Sequence, residues 1–395
     1  MSGATQDLLL VEPWFTRIGH VSFNRAFLAI VRAAFPDARI TFACSPGYRT
    51  DLGEMQVGQD GGAHWIEAAA WPHPDHSAGE FWRRTRWLIG LLGRARERGI
   101  TPTHLIVLGS SGPLLLATFV AKALRLPRRC KTFTVMHGAN EIFQGWQPRN
   151  PLARLFSFRT AFELLPAIGI KVIALEMSIA QELRNSFPKQ ASAIRCIPHG
   201  YDETEFPPES PPSANGGPLR ILFLGQATPH KGFAEFVRLA ELARTSGKVQ
   251  MEFRAAGAVR KDTQDIDQSA LARRAGDRPL ERSELLAELS AADLVFAWQS
   301  EYYELSPSGV LLDCIGAGVP MVGRRSQAIV ALEAKYGPCG LFADDIESVF
   351  SALALLDDFA NRHRQTSIWR SSLLKARTDR SAQVLGVVAR RELES

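Results

Sequence analysis

The chain has 395 residues, 46% of them hydrophobic and 22% charged, with a formal net charge of +5. That length exceeds what one core accommodates and predicts two domains of about 200 residues each, in an ordinary water-soluble composition. The five cysteines (Cys44, Cys130, Cys196, Cys314, Cys339) are scattered, with no CxxC or Cys/His spacing. That pattern excludes a structural zinc site, implies no metal and fits a reducing cytoplasm.

Met1–Asp7 is polar and Leu8–Val11 is too short for the apolar core of a signal peptide. From there the first half alternates short apolar strands with helical stretches. Leu8–Val11 precedes a helix over Phe23–Ala34; Ile40–Ala43 follows, then a helix over Trp82–Arg98. Leu105–Leu108 leads into Leu114–Leu124, and Thr132–Met136 into the middle of the chain. The uncharged run Leu105–Ala121 is broken by Gly109-Ser110-Ser111-Gly112-Pro113, so it reads as strand, turn and helix and not as a membrane span. Lys171–Leu175, Ile179–Ser186 and Ile194–Ile197 continue the rhythm, which predicts a parallel sheet with helices on both faces.

Charge is split unevenly: residues 1–200 hold 23 Lys/Arg against 14 Asp/Glu, and the remainder 23 against 27. Much of the basic excess lies in Phe81–Gly99 and in Arg125, Arg128, Arg129 and Lys131. As a helix, residues 81–99 place Phe81, Leu88, Leu92 and Ala95 on one face, with Arg83, Arg94 and Arg98 largely elsewhere. This fits a surface helix with a solvated basic side, or one lying on an anionic membrane. No aromatic-basic platform for nucleic acid is visible.

The densest Pro/Gly/Ser stretch, 207–218, reads as a linker between domains. A second α/β series follows: Leu219–Leu224, Phe233–Arg244, Met251–Ala255, Arg282–Leu289, Leu294–Ala297, Val310–Ile315, Met321-Val322 and Ile346–Leu356. The expected organisation is an N-terminal domain over 1–206, the linker, a C-terminal domain over 219–365, and basic terminal helices over 366–395. Two Rossmann-like halves imply a cleft between them, a usual place for a ligand.

The most informative segment is Ala291–Gly323: a buried strand, a polar loop, and an apolar helix opening at Ser306-Pro307-Ser308-Gly309. A fresh helix N-terminus presents unpaired N–H groups with the dipole behind them, which suits phosphate. Small residues at Ser306, Ser308 and Gly309 admit a diphosphate close to the backbone. Asp313 lies one turn further in, where its carboxylate accepts from ribose hydroxyls. His137 ends an apolar strand, where ligands bind in open α/β sheets. A nicotinamide enzyme is disfavoured, because no GxGxxG follows the first strand.

These blocks, taken in order, resemble the GT-B glycosyltransferases of family 4. Asp313 stands seven residues before Pro320 of the Gly-Val-Pro turn, as that family's carboxylate does. Gly225-Gln226-Ala227-Thr228-Pro229-His230-Lys231-Gly232 is similar to the block in which an Arg and a Lys neutralise the donor diphosphate. Lys231 fits the lysine; Gln226 replaces the arginine. Ile197-Pro198-His199-Gly200-Tyr201-Asp202 resembles the family's Ile-Pro-Asn-Gly-Val-Asp marker, an architectural turn. Thr134-Val135-Met136-His137 resembles a strand whose histidine faces the donor sugar, with Glu141 nearby. Gly19-His20 resembles the glycine loop on the acceptor side, where His20 is a proton acceptor or a hydrogen-bonded turn residue. Glu304 is the candidate for the family's first loop carboxylate, although eight residues separate it from Asp313 where seven are usual. Tyr302 or Tyr303 either stacks on the ligand or packs locally.

The resemblance implies two Rossmann-like doubly wound parallel-sheet domains facing across a cleft. It implies transfer of a sugar from a UDP- or GDP-linked donor to a hydroxyl acceptor, with retention and without a further cofactor. The acceptor expected is a saccharide or lipid-linked saccharide of surface polysaccharide or glycoconjugate synthesis, handled in the cytoplasm or on the inner membrane face. Two rivals remain: a nucleotide-sugar 2-epimerase of the same fold, and a non-catalytic nucleotide-sugar-binding protein on a degenerate glycosyltransferase body.

Overall fold

The computed structural model describes residues 6–16, 20–52, 64–70, 77–138, 140–143, 150–206, 217–247, 250–300 and 308–395. Its contacts divide the chain into two units, Met1–Gly200 with Ala382–Ser395, and Tyr201–Glu304 with Ser308–Ser381.

The first unit is built on seven strands: β1 (Asp7–Val11), β2 (Arg39–Cys44), β3 (His64–Glu67), β4 (His104–Val107), β5 (Lys131–Met136), β6 (Lys171–Ala174) and β7 (Ile194–Cys196). All pair in parallel, in the order β3-β2-β1-β4-β5-β6-β7. The order reverses between β1 and β4, the switch point at which ligands bind beyond the strands' carboxyl ends in open α/β sheets. β1 is buried along its whole length because helices cover both faces, which is why its sequence is a continuous apolar run.

The second unit carries β8 (Leu219–Leu224), β9 (Met251–Ala256), β10 (Leu294–Ala297), β11 (Met321–Gly323) and β12 (Gly340–Phe342). They form a parallel sheet in the order β12-β11-β10-β8-β9, so this switch point lies between β8 and β10. Isolated parallel bridges, Arg254 with Arg273 and Ala258 with Gly276, extend the pairing beyond β9 without completing another strand.

The helix read as Trp82–Arg98 runs over Ala78–Glu97, capped by Ser77, whose Oγ accepts from Glu80 N. Its buried face contains Leu88, Leu91, Leu92 and Ala95 but also Arg84, which is fully buried, while Phe81 is only half-buried. Arg84 is tolerated inside because its Nε donates to Glu80 at 2.6 Å, its Nη1 donates to Pro13 O at 3.1 Å, and its guanidinium lies 4.6 Å above the Trp14 ring. Sequence periodicity gave no sign of β3, β12 or the helix Gln327–Tyr336. β3 and β12 have four and three residues, and neither alternates cleanly.

The chain ends in two helices, Phe359–Asp379 in the second unit and Ala382–Glu394 in the first. The last packs on Val21–Ala34, adding Leu385, Ala389 and Leu393 to the core of the first unit. A Cβ on Gly386 would stand 2.7 Å from Ala33 Cβ, so only glycine permits this approach. Gly386→Val is therefore expected to lower the unfolding free energy by about 1–3 kcal/mol through overpacking. Urea melts measure this; an unchanged midpoint would contradict the seating of the helix.

Candidate functional site

In the second unit, β8 ends at Leu224 and the backbone turns at Gly225, whose φ of 97° is unfavourable for any residue with a side chain. The next residues form a short turn, Pro229–Lys231, before the helix Phe233–Ser246. Lys231 folds back towards the strand end: its Nζ lies 3.2 Å from where a Gly225 Cβ would be. Gly225 thus supplies both the turn and the space for the ammonium. Lys231 is half-buried; burial lowers its pKa and the nearby Asp313 carboxylate partly restores it. Gln226 and His230 are exposed, and the backbone carbonyl of His230 accepts from Ser300 N at 3.0 Å.

Across the switch point, Ser308 caps the helix Gly309–Ala317. Its Oγ accepts from Leu311 N at 3.3 Å and from Gln299 Nε2 at 2.9 Å. Gly309 is exposed, and an added Cβ there would meet nothing within 4 Å, so the first turn opens into free space.

Asp313, on the same helix, is held by Arg282. Its Oδ1 accepts from Arg282 Nη2 at 2.6 Å and its Oδ2 from Nη1 at 3.1 Å. The same guanidinium donates to Glu205 Oε2 at 2.5 and 2.9 Å. Burial pushes the Asp313 carboxyl above its usual value, while Arg282 and then Lys231 hold it down. Burial also opposes the Arg282 charge, but Asp313 and Glu205 outweigh it and raise its pKa. Sequence reasoning missed Arg282 and Glu205. The only available signal was an Arg at the start of a helix whose partner lies 31 residues on, a separation that no local pattern reveals.

In the first unit, His137 follows β5. Its Nε2 lies 3.0 Å from Leu108 O, and a carbonyl can only accept, so Nε2 carries the proton and Nδ1 the lone pair. Burial, with the neighbouring His20 and His199, pushes its pKa well down; the Leu108 bond pulls the other way. His20 precedes the helix Val21–Ala34 with φ 59° and is the one non-glycine residue with positive φ among the described residues. That conformation costs about 1–2 kcal/mol, a strain that must be held in place by its surroundings. Although His20 keeps an exposed edge, its ring centroid lies 4.4 Å from Phe15 and 4.2 Å from His137. The residue stays exposed, yet this packing desolvates the ring enough to push its pKa down, to about 4. Phe23 presents its edge or face to both His137 at 4.5 Å and His199 at 4.9 Å. His199, from the turn after β7, thus joins the cluster, a placement the sequence did not suggest. Asp202 accepts from Thr204 N and Oγ1, forming a local turn.

The structure therefore gathers Gly225, Lys231, Ser308, Gly309 and Asp313 at the switch point of one sheet. It gathers His20 and His137 at the strand ends of the other. Gly19, Ser306, Glu304, Tyr302 and Tyr303 lie outside the described residues, and of Glu141 only its place in the helix Asn140–Phe143 is described. Among the described residues no group of His, Cys, Asp or Glu is arranged to hold a metal, and all five cysteines are buried and unpaired with one another.

No family model matches the sequence, and no curated protein matches it. Solved structures do. A glycosyltransferase from Rickettsia africae is 13% identical over 99% of this chain and 97% of its own, with a TM-score of 0.63. Anabaena Alr3699/HepE, solved in complex with UDP-glucose, is 14% identical over 96% and 97%, at 0.61. A candidate UDP-N-acetylglucosamine 2-epimerase from Listeria monocytogenes is 13% identical over 93% and 91%, at 0.56. The fold is GT-B. Identities this low establish the architecture and leave the chemistry to the residues.

The Glu205–Arg282–Asp313 chain yields a direct test. Arg282→Ala should destabilise the protein by about 1–3 kcal/mol, because a largely buried carboxylate loses its charged donors. Adding Asp313→Asn should recover part of that loss in a double-mutant cycle. Additive effects in chemical denaturation would show that the pair is not coupled.

Proposed function

We propose that this protein is a glycosyltransferase that moves a sugar from a nucleoside diphosphate donor to a hydroxyl acceptor. One observation carries the reading: Lys231, folded beside Gly225, stands within electrostatic reach of Asp313 on a helix whose first turn is open at Gly309. Lys231 and the first-turn N–H groups neutralise the diphosphate, and Asp313 accepts from the ribose hydroxyls. As the bond from anomeric carbon to phosphate oxygen breaks, negative charge builds on the leaving phosphate, and these groups stabilise it. The acceptor oxygen bonds to the same carbon and passes its proton to the departing phosphate oxygen, on the same face, giving retention. Gln226 supplies no second cation, so Lys231 carries more of this charge than it would beside an arginine.

The cluster of His20 and His137, with Phe23 and His199, is the acceptor side of this reading; its low pKa values keep the imidazoles neutral and able to accept hydrogen bonds. Glu304 and Gly19 remain candidates for the donor-side carboxylate and the acceptor-side loop. The donor is UDP- or GDP-linked. Lys231→Ala should lower kcat/KM by about 10²-fold or more, and should abolish the thermal upshift that UDP or GDP gives the parent protein. Turnover and upshift both unchanged would exclude the clamp. Epimerisation, favoured as a second reading by the Listeria structure, would show as donor turnover without any acceptor. Nucleotide binding without turnover would mark a binding protein.

The acceptor is a saccharide or lipid-linked saccharide of surface polysaccharide synthesis, met at the cytoplasmic face of a membrane. No helix among the described residues is long and apolar enough to cross one, so contact would be peripheral. Its support is a charge excess: residues 77–163 hold 14 Lys/Arg against four Asp/Glu, and Glu80 of those four is buried against Arg84. Among the cations stand exposed apolar side chains, Trp82 at 58%, Leu155 at 57% and Phe119 at 38%. Arginines attract anionic headgroups at about 1 kcal/mol each, and the apolar side chains enter the interface. The parent protein should float with vesicles containing an anionic phospholipid and lose this with Trp82→Ala/Arg83→Glu. Equal flotation of both proteins would remove this surface from the proposal, and flotation of neither would remove membrane contact.

A further inference from the structure

Glu12 follows the last residue of β1 and is completely buried. Its Oε1 accepts from Trp14 N at 2.8 Å and Phe15 N at 3.3 Å. Its Oε2 accepts from Asn24 Nδ2 at 2.7 Å, and the same amide donates to Tyr48 Oη at 2.6 Å. Two of the three partners of this carboxyl group flank His20. The Phe15 ring packs against the His20 imidazole, and Asn24 N donates to His20 O at 2.8 Å. Glu12 therefore ties together the aromatic ring on one side of the strained histidine and the helical turn on the other.

The network also contains an unsatisfied atom. An ionised carboxylate only accepts, so it draws the Asn24 NH2 towards itself and Tyr48, and Asn24 Oδ1 is left buried without a partner. A protonated Glu12 reverses the demand. Its O–H donates, the amide turns over, and Oδ1 accepts from the hydroxyls of Glu12 and Tyr48 together, with the two amide hydrogens taking the place that Oδ1 had. Each protonation state thus favours a different orientation of the Asn24 side-chain amide, which stands one turn into the helix that His20 opens, while the main-chain bond from Asn24 N to His20 O is the ordinary helical one in both.

We propose that Glu12 is a positioning residue for His20, and that one proton at Glu12, which changes its bonds to the Phe15 N–H and to the Asn24 side-chain amide, alters the setting of the imidazole packed on Phe15. Burial raises the Glu12 pKa to about 7, against the pull of Asn24, Trp14 and Phe15, which places the switch in the physiological range. The other groups facing it are consistent with a single titration there. Burial holds the Tyr48 phenol and the Cys44 thiol neutral, the latter pushed up to about 12. The Arg84–Glu80 pair faces it across Pro13, and Arg25 lies beside Tyr48, donating to Leu52 O and Asp51 O. Arg49 and Glu67 act on Cys44 from the far side. His20 itself titrates near 4.

The inference deepens the acceptor-side reading of His20, yet its readout is independent of any transfer reaction. The full-length protein, isotopically labelled in histidine, is titrated by NMR, with the His20 ring resonances assigned through His20→Gln. The expected result is an inflection of those resonances near pH 7, well above His20's own pKa, and its loss in Glu12→Gln. No inflection in the parent protein, or an unchanged one in Glu12→Gln, overturns the proposal. Should Glu12→Gln not fold, Tyr48→Phe removes the hydroxyl that discriminates the two amide orientations. It should move the midpoint by about half a unit or more, and an unmoved midpoint overturns the proposal equally. An inflection that behaves as expected in a protein inactive with every donor would sink the transferase reading and leave the switch standing.

Discussion

An ammonium group half withdrawn from water needs negative charge nearby, and in the second unit the Asp313 carboxylate acts on Lys231. Asp313 is already claimed by Arg282, which shares itself with Glu205. The four groups are two cations and two anions at the mouth of a parallel sheet, and Lys231 shares its carboxylate with Arg282. On the proposed reading, an incoming diphosphate would bring Lys231 a counter-charge that it does not share with Arg282. It would also meet N–H dipoles at Gly309 that contribute positive potential without the desolvation cost of a further full charge. On the proposed reading, this division of labour is how a chain with Gln226 in place of an arginine would hold a diphosphate.

The alternating strand-helix rhythm, the parallel sheets and the placement of Lys231 and Asp313 at strand and helix ends were legible because they are local. A buried parallel strand must be a short apolar run, and a phosphate-facing turn must be small and glycine-bearing. Leu219–Leu224 and Leu294–Ala297 were readable to the residue for that reason. β3 was not, since His64-Trp65-Ile66-Glu67 is an edge strand with one buried position. Nor was the burial of Arg84, which depends on Glu80 one turn away, on Pro13 and on Trp14 some seventy residues earlier.

The same distinction separates the visible from the hidden parts of the site. His137 could be named from the strand it follows and His20 from the loop that resembles the family's glycine loop, whereas their contact at 4.2 Å, and the arrival of His199 from the turn after β7, are products of tertiary packing. Glu12 looked like an ordinary residue at a strand end; only the fold reveals that it has no water and three N–H donors. The loop carrying Glu304 lies outside the described residues, so its carboxylate stays a sequence-level candidate.

Glu12 and His20 also pull the stability of the first unit in opposite directions with pH. His20 has a depressed folded pKa, about 4 against an ordinary 6.5. Between those values the unfolded chain binds the extra proton, so its neutral packing is fully available above 6.5 and is lost as pH falls through 4. Glu12 has a raised folded pKa, about 7 against 4.5. Its contribution is complete below 4.5 and is lost as pH rises through 7, because there the folded state must accommodate a buried charge. Over the interval from 4.5 to 6.5 the two slopes oppose each other, and the lowered pKa of His137 adds to the His20 side. Just above it the Glu12 slope runs without the opposing one of His20, so ionisation of the carboxyl group proposed to set His20 also weakens the first unit.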